Sequence, residues 1–140
     1  MNFIQSISTC MRKYVTFSGR ATRSEFWWFY LFTVLVNLVA TSQASSFVPA
    51  LLDGQDMTEN ESSYFLNNFF FLYLSTITSL ILLLPSLAVA VRRLHDVGRS
   101  GWWILIAFTV IGIIPLLVWY VTDTKDEENV YGPSPKTEDN

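Results

Sequence analysis

Charge is scarce in this chain: 15% of its 140 residues are charged, against about 25% in a soluble domain. Cysteine and histidine are scarcer still, with Cys10 and His95 one of each. A lone cysteine excludes an internal disulfide framework, and this pair cannot supply the three or four Cys and His ligands of a zinc site. No phosphate-binding loop, nucleophile elbow or zinc motif is present. The sequence therefore implies no cofactor, no metal and no nucleic-acid partner.

Apolar residues are abundant, at 51% of the chain, and they are gathered into runs. Residues 26–44, 69–91 and 102–121 each lack Asp, Glu, Lys and Arg. A bilayer core about 30 Å thick is crossed by about 20 apolar helical residues. Backbone amides in hydrocarbon must be paired within the segment, so such a run is predicted to cross as a helix. A cleaved leader ending at Ala44 competes for the first run. The long stretch before Phe26 and the Trp27-Trp28 start favour a span. In the third run, Gly112 and Pro115 mark either a kinked span or a broken segment that turns back.

The charges alternate between the runs. Arg12, Lys13, Arg20 and Arg23 precede the first, whereas the next connection carries acidic residues and no Lys or Arg. Arg92, Arg93 and Arg99 separate the second run from the third, and the tail is acidic. Basic residues stay cytoplasmic, so three crossings predict the N-terminus inside and the C-terminus outside. If the third run turns back, the tail returns inside.

Phe3, Ile4, Ile7, Cys10, Met11, Tyr14 and Phe17 recur at helical spacing, which predicts an amphipathic N-terminal helix. It lies either in the membrane interface or against the cytoplasmic ends of the spans. The expected fold is thus an all-α membrane protein. It is a small bundle of about three transmembrane helices with an N-terminal interfacial helix, forming a single domain over residues 1–122. The acidic, charge- and Pro-rich residues 123–140 are expected to be disordered.

Two motifs stand out on the basic side: Ser18-Gly19-Arg20-Ala21-Thr22-Arg23-Ser24-Glu25-Phe26-Trp27-Trp28 and Arg92-Arg93-Leu94-His95-Asp96-Val97-Gly98-Arg99-Ser100-Gly101-Trp102-Trp103. A weaker one, Asn129-Val130-Tyr131-Gly132-Pro133-Ser134-Pro135, lies in the tail. Together they resemble the YhaH-like bacterial inner-membrane proteins, the family called domain of unknown function 805. The resemblance runs over nearly the whole chain. It departs at Val130, where a basic residue is common, and in a longer outer loop. It implies a bacterial inner-membrane location and no established activity.

Arginine presents a rigid fork of donors suited to phosphate and carboxylate. Two readings of the basic motifs remain open. In one, the arginines fix orientation and pair with Glu25 and Asp96 to hold the spans in register. In the other, Arg20, Arg23, Arg92, Arg93, His95, Asp96 and Arg99 form a site for an anionic lipid headgroup or a partner protein. Catalysis by His95 and Asp96, with Ser100 nearby, is a third and weaker idea, because adjacent residues rarely face one another. Within the spans, Asn37, Ser75, Ser79, Ser86 and Ala90 offer small or polar faces for helix packing, inside the molecule or in a homo-oligomer. The expected function is a non-enzymatic membrane module, with an oligomeric transporter or channel subunit as runner-up and a headgroup-modifying enzyme third.

Overall fold

A computed structural model describes residues 1–42, 59–124 and 127–136. The elements are helices α1 (Phe3–Arg12), α2 (Arg23–Ser42) and α3 (Glu59–Asp96), a 3-10 helix over Gly101–Phe108, helix α4 (Ile113–Val121), and strands β1 (Glu128–Asn129) and β2 (Gly132–Pro133). They form two compact units, Phe32–Leu82 and the rest, Met1–Leu31 with Leu83–Asn140.

Helix α1 starts in a capping box: Asn2 Oδ1 accepts from the Gln5 amide, and Gln5 Oε1 accepts from the Asn2 amide, each at 2.9 Å. Two orphan donors of the first turn are thereby satisfied. The helix stops at Arg12, so Tyr14 and Phe17, expected to continue the apolar stripe, lie beyond it. Its inner face is made of small residues. Ser6 and Cys10 are fully buried, and Ser6 Oγ donates to the Glu25 carbonyl at 2.5 Å. Phe3 meets Trp28 edge-on at 5.8 Å. Helix α1 thus packs on the first turns of α2, while Ile4 and Met11 remain exposed.

Two helical stretches, Arg23–Ser42 and Phe69–Asp96, are long and apolar enough to cross a membrane. Burial covers 17% and 33% of their apolar windows, so most of that surface is uncovered among the described residues, unlike the core helix of a soluble domain. The second run extends further than its apolar residues. Arg92, Arg93, His95 and Asp96, expected in a loop, are the last turns of α3. Of the connection expected outside, between the first and second runs, residues up to 58 lie outside the described residues, and residues 59–68 are the start of α3 rather than a loop. In the Phe32–Leu82 unit, Ser79 Oγ donates to Asn37 Oδ1 at 2.6 Å, and Asn37 Nδ2 donates to the Thr33 carbonyl at 2.8 Å. Ser75 is buried there and bonds the Leu72 carbonyl. In the other unit Ala90 is buried and Ser86 half-buried.

The third run differs from the expected span. Residues 102–121 do not form one helix but an eight-residue 3-10 helix, a turn, and the nine-residue α4. At about 2.0 and 1.5 Å per residue these arms reach about 16 and 13 Å, half of the hydrocarbon thickness. They fold against each other, with Trp103 meeting Trp119 at 5.5 Å. Pro115 is the third residue of α4, where an N–H has no intrahelical acceptor to lose. It therefore begins a helix rather than kinking one. Phe108, Val110 and Ile111 at the turn are 82–89% exposed, an apolar tip.

Both ends of this hairpin stand beside the basic residues. Gly101 packs on Val91 and His95, and Tyr120 stacks on Phe26 at 4.4 Å. The described tail therefore stands beside the arginines, the arrangement expected if the third run turns back. It is not disordered where described. Strands β1 and β2 pair antiparallel, Asn129 opposite Gly132, and Ser134 is buried.

Helix α3 closes in a Schellman motif. The Gly98 amide donates to the His95 carbonyl at 3.0 Å and the Arg99 amide to Leu94 at 2.9 Å, with Gly98 at φ +70°. That reversal aims the chain back into the hairpin. Because a side chain in the left-handed region costs about 1–2 kcal/mol, Gly98→Val should lower unfolding stability in detergent by about that amount, with Gly98→Asn costing less.

Candidate functional site

The arginine motifs converge within the Met1–Leu31 and Leu83–Asn140 unit, and they do so through carboxylates. Asp96 is the hub. Arg20 Nε reaches its Oδ1 at 2.8 Å, and Arg93 Nη1 and the Thr124 hydroxyl both donate to Oδ2. A second pair sits one helical turn away, where Arg92 Nη1 donates to Glu25 Oε1 at 2.6 Å. The Cys10 thiol shares that oxygen at 3.7 Å. All five charged side chains of these pairs are 4% exposed or less.

Backbone carbonyls complete the coordination. Arg93 Nε donates to Tyr120 O at 3.2 Å, and its Nη2 donates to Thr122 O. The carbonyls ending α4 are orphans of their helix, and a guanidinium satisfies them with the sign the helix dipole favours. Arg20 Nη1 reaches Gly132 O at 3.2 Å, so one arginine binds Asp96 and the tail hairpin together. The Ala21 amide donates to Arg92 O at 3.1 Å, fastening the segment before α2 to α3. Nε and Nη2 of Arg92 have no hydrogen-bond partner among the described residues.

His95 is held on two sides. Its Nδ1 lies 3.1 Å from the Gly19 carbonyl, and Tyr131 stacks on the ring at 3.9 Å, 1° from parallel. Asn129 Nδ2 donates to the His95 carbonyl at 3.0 Å, while its Oδ1 accepts from the Tyr131 amide. The tail motif is thus a clasp on the end of α3. His95 faces Gly19 and Tyr131, and Asp96 faces arginines, so the two do not form an acid–base pair.

The sequence-predicted residues therefore divide. Arg20, Arg92, Arg93 and Asp96 are buried and paired within the protein. Arg23 is 47% exposed; it donates to Val121 O at 3.3 Å and pairs with Asp123 at 3.1 Å. Arg99 lies over the Trp119 ring at 5.2 Å. Asp123 also takes a bond from Lys136 Nζ at 2.6 Å. That bond first, and then the charges of Lys136, Arg23 and Arg93, hold its carboxyl below the usual range. A depressed carboxylate contributes above its unfolded pKa and loses that contribution as pH falls through the folded value. The Asp123 clamp therefore weakens on acidification. Met1, Thr22, Arg23, Ser24, Asp123 and Lys136 line an open cavity of about 350 Å³ here. Sequence reasoning did not single out Cys10 or Thr124 for the buried cluster, or Lys136 for the cavity. The lone carboxylate in the first turn of α2, Glu25, was the available signal.

An α-helical protein with two apolar helices of spanning length, joined at one end by buried arginine–carboxylate pairs, is a small membrane module. The chain belongs to the family described as protein of unknown function (DUF805), whose model matches residues 14–133. It is 37% identical over 127 residues to inner membrane protein YhaI of Escherichia coli strain K12, covering 90% of this chain and 91% of that one. With inner membrane protein YhaH of the same strain it shares 36% over 132 residues, covering 91% and 93%. No solved structure matches. The relatives are inner membrane proteins, and neither their names nor the family description carries an activity.

Removing one partner of a buried ion pair costs about 3–5 kcal/mol, because the other charge stays desolvated. Asp96→Asn should destabilise the detergent-extracted protein by that order, seen as a lower unfolding midpoint. Burial, aided by the Glu25 charge, pushes the Cys10 thiol up to about 12. A raised thiol pKa leaves almost no thiolate at neutral pH. Cys10 should resist maleimide in the folded protein and react once it is denatured.

Proposed function

We propose that the chain is an inner-membrane module with two crossings, both termini in the cytoplasm, whose exposed cations hold anionic lipid headgroups at that face. The sharing of labour among the cations supports this reading. Arg20, Arg92 and Arg93 are consumed by internal pairs, whereas Arg23 and Lys136 stand at an open polar cavity with Ser24 and Thr22. Two cations against the single carboxylate of Asp123 leave positive charge where a phosphate would sit. Each basic residue near an anionic leaflet contributes about 1 kcal/mol of attraction. The exposed apolar hairpin tip, Phe108, Val110 and Ile111, enters the same leaflet from that side to about half depth. Basic residues retained inside set the orientation.

The double variant Arg23→Gln, Lys136→Gln tests the reading, since neither side chain lies in the buried cluster. Anionic lipid copurifying with the inserted protein should fall at least twofold, with the unfolding midpoint nearly unchanged. Unaltered lipid content at normal insertion would refute it.

A further inference from the structure

A second cavity, about 440 Å³, opens on the other side of His95. Phe17, Val91, Ile104 and Leu105 wall it, and Trp102, 79% exposed, stands at its rim. Two polar side chains reach it, His95 and Ser100.

The histidine's neighbours fix its chemistry. A carbonyl oxygen can only accept, so the 3.1 Å contact with Gly19 O requires the proton on Nδ1. In the neutral ring Nε2 is then an acceptor, and it has no partner among the described residues. Gly101 keeps that edge open. A Cβ at this position would stand 2.6 Å from Val91 Cγ1 and 3.4 Å from His95 Nε2. Ser100 Oγ accepts from the Trp102 amide at 3.4 Å and retains its own proton to donate. Stacking on Tyr131 holds the ring in place before any ligand arrives.

We infer that this cavity is a binding site for a neutral membrane lipid bearing a free hydroxyl. The hydroxyl donates to His95 Nε2 and accepts from Ser100 Oγ, and the apolar chain runs along Phe17, Ile104 and Leu105. A charged headgroup fits poorly, because the walls are apolar and an unpaired ion there would be desolvated. An apolar cavity of a few hundred Å³ with a few convergent polar groups is the general form of a small-molecule site. The inference goes beyond the anionic-lipid reading and uses a different cavity.

His95 is the sole histidine of the chain, so isotope-labelled histidine gives one imidazole in nitrogen NMR of the untagged protein in neutral detergent. Without ligand, the spectrum should show the proton on Nδ1 and a free, pyridine-type Nε2. Dioctanoylglycerol, which has one hydroxyl, should move the Nε2 resonance upfield with saturation. Its acetylated counterpart, which lacks the donor, should leave it in place. Gly101→Val should weaken the response at least tenfold. A proton found on Nε2, a shift of equal size with the acetylated lipid, or no shift with dioctanoylglycerol would each overturn the proposal. The probe carries no charge, so the result is independent of lipid retention at the Arg23 and Lys136 cavity.

Discussion

The carboxylate of Asp96 is the point on which the Met1–Leu31 and Leu83–Asn140 unit depends. It binds Arg20 from the segment before α2, Arg93 from its own helix and Thr124 from the tail. Through Arg93 it is coupled to the end of α4, and through Arg20 to Gly132. Desolvating such charges costs several kcal/mol per ion, and mutual attraction offsets that only when the remaining donors are also satisfied. Here carbonyls of Tyr120, Thr122 and Gly132 take the spare donors of Arg93 and Arg20. The cluster's effect is chiefly geometric: few other arrangements satisfy so many directional bonds at once.

That constraint explains the hairpin. A chain leaving α3 at Gly98 and held again at Thr122 by Arg93 has to start and finish at one place. The 3-10 helix and α4 are each too short to cross, and Trp103 with Trp119 closes their base. On the proposed placement, the bilayer supplies the apolar medium for the exposed tip. On the proposed function, the structural and binding readings of the arginines, which compete in the sequence, become complementary. Some arginines build the end of the bundle, and others remain at its surface.

The two long helices were legible because an uncharged run of spanning length has few other fates. The N-terminal helix was legible from its period. The hairpin was half legible. Gly112 and Pro115 raised it, but whether Pro115 kinks a helix or starts one depends on where the first turn falls. That in turn depends on Arg93 gripping carbonyls 27 and 29 residues away. The tail misled because its composition is that of a disordered segment. Its order comes from a few specific long-range bonds, such as Arg20 to Gly132 across 112 residues, and composition carries no trace of these. The Asn129-to-Pro135 motif was the one local sign.

The account stands on the tail returning to the face that holds the arginines, and side-specific labelling measures this directly. In a Cys10→Ser background, one cysteine is placed at exposed Ser8 on α1 and, in a separate chain, one after Asn140. Intact cells are treated with a membrane-impermeant maleimide, then opened and treated again. With both termini cytoplasmic, as proposed, both sites are protected in intact cells and both react in opened ones. Labelling of the C-terminal cysteine alone in intact cells would place the tail across the membrane and contradict the account.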